Sequence, residues 1–528
     1  MSVFLVQVAN SDEDFPYRLR HKGLKSSQLK ELEKKWDIRL SKCQLKGVET
    51  FCRKHRIFFR SVPKSYFRIP KSRNWTRVQT DKKLWDMLYD YQKKGVSEIL
   101  NRLGSRAILG DEMGCGKTIQ GIAYISHRLN ILPTSRLLIV CPSYLQIHWK
   151  TELTKFLQQD SDIWEKTECP DGRVVIIPYS KLCNRDVASV KWETIVADEC
   201  HYIKTRTSKR TKAFVPLCHT SSGVLLMSGT PCVNRPNELY TQMHAVRPQH
   251  CLSYFKFAER FCDGRRTRFG WDDTGSSNPD ELYWLLKKEY MVRRLKRDVL
   301  TELEPKMRYH VTLNVEWRRL ERLEEIRSEL KALTNSSHDM MKRKALISEA
   351  FRETAKAKAP QVSKWVNDRI ENSEEPFIVF AHHQVTLDTL EQNLKTEDYI
   401  RIDGNVSKEK RQAYVERFQN GEVKVALLSI MAAGTGITMT KASVAIFAEL
   451  YWVPGVILQA EDRIHRVGQT KPVSIIYLLG TGTIDLKIYP QVVYKLKVLD
   501  KAVDNRSDRS METQSFDDDY FHELDITK

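Results

Sequence analysis

Gly110-Asp-Glu-Met-Gly-Cys-Gly-Lys-Thr118 directly follows the apolar run 107–109, and Ile195-Val-Ala-Asp-Glu-Cys-His201 carries an apolar triplet straight into two carboxylates. A buried parallel strand delivers its chemistry in this way, at its carboxyl end, through a glycine turn or an acidic pair. Residues 137–140, 174–177 and 224–227 complete a first series of such runs, and 377–380, 423–428, 444–447 and 473–477 form a second. Strand-length apolar runs separated by helical lengths predict α/β layers, and their appearance in two series predicts two α/β lobes. The 528 residues, 41% of them hydrophobic, suffice for two to four domains and exclude wholesale disorder.

Between the two series, 317–373 is charged, with Leu320, Leu323, Ile326 and Leu330 at helical spacing, so helices are expected to join the lobes or protrude between them. Residues 263–279 read as a surface loop. No window approaches about 18 consecutive apolar residues, so no membrane span is expected. The N-terminus lacks the basic start and apolar core of a secretory signal. The 11 cysteines lie at irregular spacing between 43 and 262 with no Cys-x-x-Cys pair, which points to reduced thiols in an intracellular protein rather than structural zinc.

The net charge of +19 is concentrated: residues 1–80 hold 19 Lys and Arg against 7 Asp and Glu. Such an arm is the footprint of a phosphate-backbone partner, with a merely solvated surface as the alternative. In 24–63 the basic residues interleave with Trp36, Phe51, Phe58 and Phe59, which either stack on bases or form a small core. The end of the chain, 504–528, is acidic around Asp517, Asp518 and Asp519.

In the glycine-rich loop, Asp111, Glu112, Met113, Gly114, Cys115 and Gly116 would turn backbone N–H groups toward phosphate, at the positive end of the following helix. Lys117 would neutralise the β- and γ-phosphates of a nucleoside triphosphate, and the Thr118 hydroxyl would ligate Mg²⁺. Asp111 occupies a position where the strict phosphate-loop pattern has glycine, and a chance glycine turn is the competing reading of this loop alone. Asp198 would hold Mg²⁺ through its water shell and Glu199 would polarise the attacking water. An acidic turn without function would not be expected to accompany a phosphate loop.

Taken in order, Tyr91-Gln92, GDEMGCGKT (110–118), Cys141-Pro142-Ser143, DECH (198–201), SGTP (228–231), SIMAAGTG (429–436) and QAEDRIHRVGQ (459–469) resemble the motif set of a superfamily 2 ATPase of the Snf2 group. MVRRLKRDVLTELEPK (291–306) is similar to that group's junction between lobes, and the resemblance covers about 84–499. Segments outside the catalytic motifs, among them GWDDTGSSN (270–278) and VFAHHQVTLD (379–388), are similar to the annealing-helicase branch, the HepA-related or HARP proteins. Cys115, Cys200 and Val453 depart from the usual residues without removing a charge or a phosphate ligand.

The resemblance implies an α/β fold of two RecA-like parallel-sheet lobes with helical insertions and a small basic N-terminal domain. The expected divisions are 1–80, HARP-like and DNA-binding; 81–312, lobe one; 313–373, a helical linker; 374–503, lobe two; and 504–528, an acidic tail. Gln92 resembles the adenine-reading glutamine, and Gly436 belongs to the nucleotide-facing set. Arg463 and Arg466 resemble the arginines that reach the γ-phosphate on lobe closure, expected here on one face of a helix. Pro142, Ser143, Ser429 and Thr435 would meet nucleic acid.

The implied activity is ATP- and Mg²⁺-dependent translocation on duplex, forked or junction DNA, rewinding or reversing forks. Remodelling of nucleosomes or other protein–DNA complexes is the alternative, and a scaffold with a vestigial ATPase is disfavoured by the complete motif set. A nuclear protein is expected in a eukaryote, otherwise a cytoplasmic protein or one of a viral replication compartment. Candidate protein partners are a single-strand-binding protein and a sliding clamp. QSFDDDYF (514–521) has the spacing of a clamp-binding peptide but carries Asp517 where an aliphatic residue is needed, so it reads first as an acidic tail.

Overall fold

The computed structural model describes residues 3–6, 58–61 and 77–504, except 269, 301, 334–336 and 434–436. Trp36, Phe51 and the tail from 505 therefore lie outside the described residues. In the N-terminal region β1 (Val3–Val6) and β2 (Phe58–Ser61) pair in parallel, joining stretches of chain more than fifty residues apart.

The first sheet comprises β3 (Arg106–Leu109), β4 (Leu137–Cys141), β5 (Asp162–Ile163), β6 (Val174–Pro178), β7 (Thr194–Asp198), β8 (Gly223–Met227) and β11 (Met291–Val292). Its order is β11-β3-β8-β7-β4-β6-β5, with every pairing parallel. Alternate residues bury on opposite faces. Ile108, Val140, Ile177, Ile195 and Leu226 enter one core, while Leu109, Ile139, Ile176, Val196 and Leu225 enter the other. Because both faces are covered, the strands carry continuous apolar runs, and each fully buried Val, Leu or Ile contributes about 1.5–3 kcal/mol.

The second sheet holds β12 (Lys306–Leu313), β13 (Phe377–Ala381), β14 (Tyr399–Ile402), β15 (Val425–Ser429), β16 (Val444–Phe447) and β17 (Val473–Gly480). Its order is β12-β17-β16-β13-β15-β14, again all parallel. The structure is thus α/β, with two parallel-sheet lobes. One expected boundary moves: β12, assigned from sequence to lobe one, pairs along its whole length with β17 of lobe two. Its solvent-side positions alternate with half-buried ones, so no continuous apolar run announced it.

The expected helices between the lobes are present as Glu321–Ala332 and Ser337–Asn372. Leu323, Ile326 and Leu330 are buried against Leu346, Ala350 and Ala357 of the longer helix. The stretch read as a surface loop contains a short antiparallel pair, β9 (Arg265–Thr267) with β10 (Gly270–Asp272). The C-terminal helix, Asp485–Asp504, belongs to both lobes. Ile488, Val492 and Leu496 sit in the second-lobe core, and Leu499, Ala502 and Val503 enter the core of the first. Among the described residues no helix is long and apolar enough to cross a membrane.

Candidate active site at the lobe interface

Strand order places the carboxyl ends of β3, β8 and β7 side by side, so 110–118, 228–231 and 198–201 meet at one edge of the first sheet. In the glycine-rich loop, Gly114 (φ +85°) and Gly116 (φ +71°) are left-handed, conformations that an L side chain adopts only with strain. They turn the chain into helix α2 (Lys117–Ile131), which starts directly after Gly116 with no side chain capping its first N–H groups. Lys117 Nζ lies across the loop, donating to the carbonyls of Asp111 (3.0 Å) and Glu112 (3.2 Å). Thr118 follows in the first turn of α2.

The Asp111 side chain is turned away from the loop's concave face. It is fully buried and accepts from Arg294 N (3.0 Å), Arg294 Nε (3.2 Å) and Gln120 Nε2 (2.9 Å). At the position where the strict pattern has glycine, this aspartate braces the loop from within. The Cys115 carbonyl accepts from Tyr91 Oη (3.0 Å) and from Gln92 Nε2 (3.3 Å), and burial pushes the Cys115 thiol up to about 12. Gln92, on helix α1 (Asp90–Ser97), also accepts from the Tyr89 N–H at 3.0 Å, so it is packed on the loop. Met113 lies beneath Gly229, where a Cβ would come within 2.1 Å of Met113 Cγ.

The two carboxylates differ in environment. Asp198 ends β7, accepts from Trp149 Nε1 (3.1 Å) and from the Glu199 N–H (2.9 Å), and its carboxyl is raised by burial and by the Glu199 charge. Glu199 is left-handed (φ +51°), which re-aims its side chain toward His201 Nδ1 (3.2 Å) and Ser228 Oγ (3.5 Å). Burial would raise its carboxyl, but His201, Lys117 and Arg463 outweigh burial and hold it below the usual range. The pair is therefore split: Glu199 stays ionised, and Asp198 is the one that takes up a proton. His201 and Ser228 lie within the DECH and SGTP motifs, but the motifs alone assign neither a contact with Glu199. Trp149 carried no local signal at all, since it reaches Asp198 from helix α3 (Gln146–Leu157).

Lobe two closes over this edge. The helix Pro454–Glu461 stops before Arg463, so both arginines lie on the turns that follow it and do not share a helical face as expected. Glu461 is held back by Lys306 (2.8 Å) and Arg308 (2.6 Å), which tie the helix end to β12. Arg463 is buried and donates to the Ile437 carbonyl at 3.5 Å, while its Nε has no hydrogen-bond partner among the described residues. Burial lowers its pKa, opposed by Tyr144 and Glu199. Arg466 Nη1 donates to Thr438 Oγ1 at 2.8 Å, and the root of its side chain packs on the glycine-rich loop, since a Cβ on Gly114 would lie 3.2 Å from Arg466 Cβ and 3.6 Å from its Cα.

Pro142 and Ser143 follow β4 and line a cavity of about 500 Å³ with Tyr144, Tyr202, Lys209 and Arg210. Ser429 ends β15 in lobe two. Thr435 and Gly436 lie outside the described residues.

The left-handed glycines, the α2 N-terminus and Lys117 fit a triphosphate, and the Asp198 carboxylate with the Thr118 hydroxyl is a donor set that suits Mg²⁺. The unpartnered buried Arg463 Nε is the kind of group that an anion would satisfy.

Residues 91–362 match the SNF2-related domain, and residues 358–468 match the helicase conserved C-terminal domain. The chain is 37% identical over 454 residues to SWI/SNF-related matrix-associated actin-dependent regulator of chromatin subfamily A-like protein 1 of Xenopus tropicalis, covering 84% of this chain and 48% of that one. It is 36% identical over 456 residues to DNA annealing helicase and endonuclease ZRANB3 of Mus musculus, covering 82% and 42%. The chain thus spans about half the length, or less, of these curated relatives. With matched domains on both lobes, the chain belongs to the SNF2-related family of helicase-like ATPases.

Proposed function

We propose that this chain is an ATP-driven motor on duplex and junction DNA, which rewinds or reverses forked structures. The observation that carries this reading is the division of one site between two lobes. Glu199 is held ionised on lobe one, and from lobe two Arg463 lies within electrostatic reach of Glu199 while Arg466 touches the glycine-rich loop at Gly114. Lys117 would move from the Asp111 and Glu112 carbonyls onto the β- and γ-phosphates. Thr118 and Asp198 would hold Mg²⁺, which supplies charge neutralisation to the phosphates. Glu199 would orient and polarise the attacking water, with His201 and Ser228 fixing its carboxylate. Arg463 and Arg466 would stabilise the charge that develops on the transferred phosphoryl group.

Because the site is complete only when the lobes meet, occupancy favours closure and hydrolysis releases it. If Pro142, Ser143, Ser429 and Thr435 grip the phosphate backbone from the two lobes, each cycle of closing and opening advances the chain along DNA. The likeness to a DNA annealing helicase and the basic N-terminal arm both favour junctions as substrate. Nucleosomal DNA is the second reading, favoured by the chromatin regulator among the relatives. The eukaryotic relatives support a nuclear location. The discriminating experiment compares stimulation of ATP hydrolysis by forked, duplex and single-stranded DNA, RNA and nucleosomes. Forked DNA should stimulate most, and stimulation by nucleosomes above their free DNA would favour the remodelling reading.

A further inference from the structure

The stretch that leaves lobe one for lobe two is registered on the phosphate loop by main-chain bonds. The Val292 carbonyl accepts from the Gly110 N–H (2.8 Å), the Arg294 carbonyl accepts from the Glu112 N–H (2.9 Å), and the Lys296 N–H donates to Glu112 Oε2 (2.8 Å). From that anchored backbone the Lys296 side chain, only 3% exposed, runs past Gly114, where a Cβ would lie 3.4 Å from its Cε. Its ammonium ends 2.8 Å from Asp462 Oδ1 and 2.5 Å from the His465 carbonyl. Asp462 immediately precedes Arg463, and His465 immediately precedes Arg466.

We infer that Lys296 is a positioning residue that sets both lobe-two arginines relative to the phosphate loop, by gripping from the loop side the residue before each one. The inference rests on the reading that Arg463 and Arg466 act on the phosphates. Asp462 has a second cation, Lys306 at 3.1 Å, but Lys306 sits on β12, which is hydrogen-bonded into the lobe-two sheet. That grip travels with lobe two and does not tell the arginines where the phosphate loop is. Lys296 is fixed to lobe one at its backbone and to lobe two at its ammonium, so the arginines are in place only when the loop is in register with them. Its burial makes the contact specific: a neutral side chain there would leave the Asp462 carboxylate and the His465 carbonyl without this donor, in a site where water does not readily replace it.

The test is a kinetic cycle on the full chain with saturating duplex DNA, comparing Lys296→Met, Arg466→Ala, the double variant and Lys296→Arg. Misplacing a catalytic group by about an ångström can cost on the order of 100-fold, so Lys296→Met should lower kcat by about tenfold or more. KM for ATP should stay within about threefold, because binding before closure does not use this contact. The double variant should be slower than Arg466→Ala only by the cost of misplacing Arg463, so its loss should fall clearly short of the product of the two single losses, and Lys296→Arg should recover part of the rate. A normal kcat in Lys296→Met beside an impaired Arg466→Ala would overturn the inference, as would losses that multiply in the double variant. An unimpaired Arg466→Ala would instead refute the arginine reading on which the inference rests. Should Lys296→Met melt below the assay temperature, Asp462→Asn weakens the same bond from the lobe-two side and takes its place in the cycle, with the same outcomes.

Discussion

The Gln459 side-chain amide donates to the Thr230 hydroxyl at 3.0 Å, joining lobe two to the loop after β8. Next to it, the Gly455 N–H donates to the Val233 carbonyl at 3.1 Å, and a Cβ on Gly455 would come within 2.6 Å of Val233 Cγ1. The lobes therefore meet through a polar pair beside a close backbone approach. A neutral hydrogen bond of this kind contributes about 0.5–1.5 kcal/mol net. Thr230→Val and Gln459→Leu should each lower kcat severalfold, and the double variant should be little worse than either, because both remove one bond. Fully additive losses in that cycle would mean the pair does not couple the lobes in turnover.

A second prediction concerns pH. The Asp198 carboxyl is raised by burial and by the Glu199 charge, and the Trp149 N–H opposes that rise. A raised carboxyl is protonated first as pH falls, and a bound proton competes with Mg²⁺. Affinity for the Mg²⁺ nucleotide should therefore decline on the acid side of neutrality, by about one log unit per pH unit. Trp149→Phe removes the opposing donor, so the decline should begin at higher pH. Nucleotide binding titrated across pH for both proteins, with melting curves to confirm folding, checks the direction.

Gly114 supplies a third. An alanine at φ +85° costs about 1–2 kcal/mol in the left-handed conformation. Its methyl would also crowd Arg466 Cβ at 3.2 Å and Lys296 Cε at 3.4 Å, both part of the contact between loop and lobe two. Gly114→Ala should lose more hydrolysis than nucleotide affinity, whereas a substitution that only stiffened the loop would change the two together.

A fourth tests the C-terminal helix. Asp504, its last residue, pairs with Arg293, whose guanidinium also reaches the carbonyls of Gly110 and Gly229. Removing one partner of a buried ion pair costs about 3–5 kcal/mol, because the other charge is left uncompensated. Asp504→Ala should lower the denaturation midpoint and loosen the edge that carries the phosphate loop. An unchanged urea midpoint would show that the helix end is not holding the lobes.

What the sequence made legible follows from burial. The runs at 137–140, 174–177 and 224–227 lie in strands covered on both faces, so they are continuously apolar and stand out. Met291–Val292 and Tyr399–Ile402 are short strands at sheet edges, and Lys306–Leu313 is an edge strand with alternating exposure, so each resembles ordinary charged or mixed sequence. The site was legible where a motif is contiguous, as at 110–118 and 198–201. Trp149 reaches the site through tertiary structure alone, while Ser228 and Lys296 lie in the recognisable stretches 228–231 and 291–306 but owe their contacts to the tertiary fold, which local spacing does not reveal. Arg463 and Arg466 lie on turns rather than on the expected helical face, because the helix ends at Glu461 where Lys306 and Arg308 hold it.

The central claim is that Glu199 is the ionised carboxylate that activates water in a site closed by lobe-two arginines. It is tested most directly by Glu199→Gln, with ATP affinity from equilibrium binding and turnover from steady-state hydrolysis at saturating DNA. The amide keeps the shape and removes the charge, so affinity should stay within about threefold while kcat falls by about 100- to 10,000-fold. Turnover near that of the unmodified chain would contradict the account, and would place the catalytic carboxylate elsewhere.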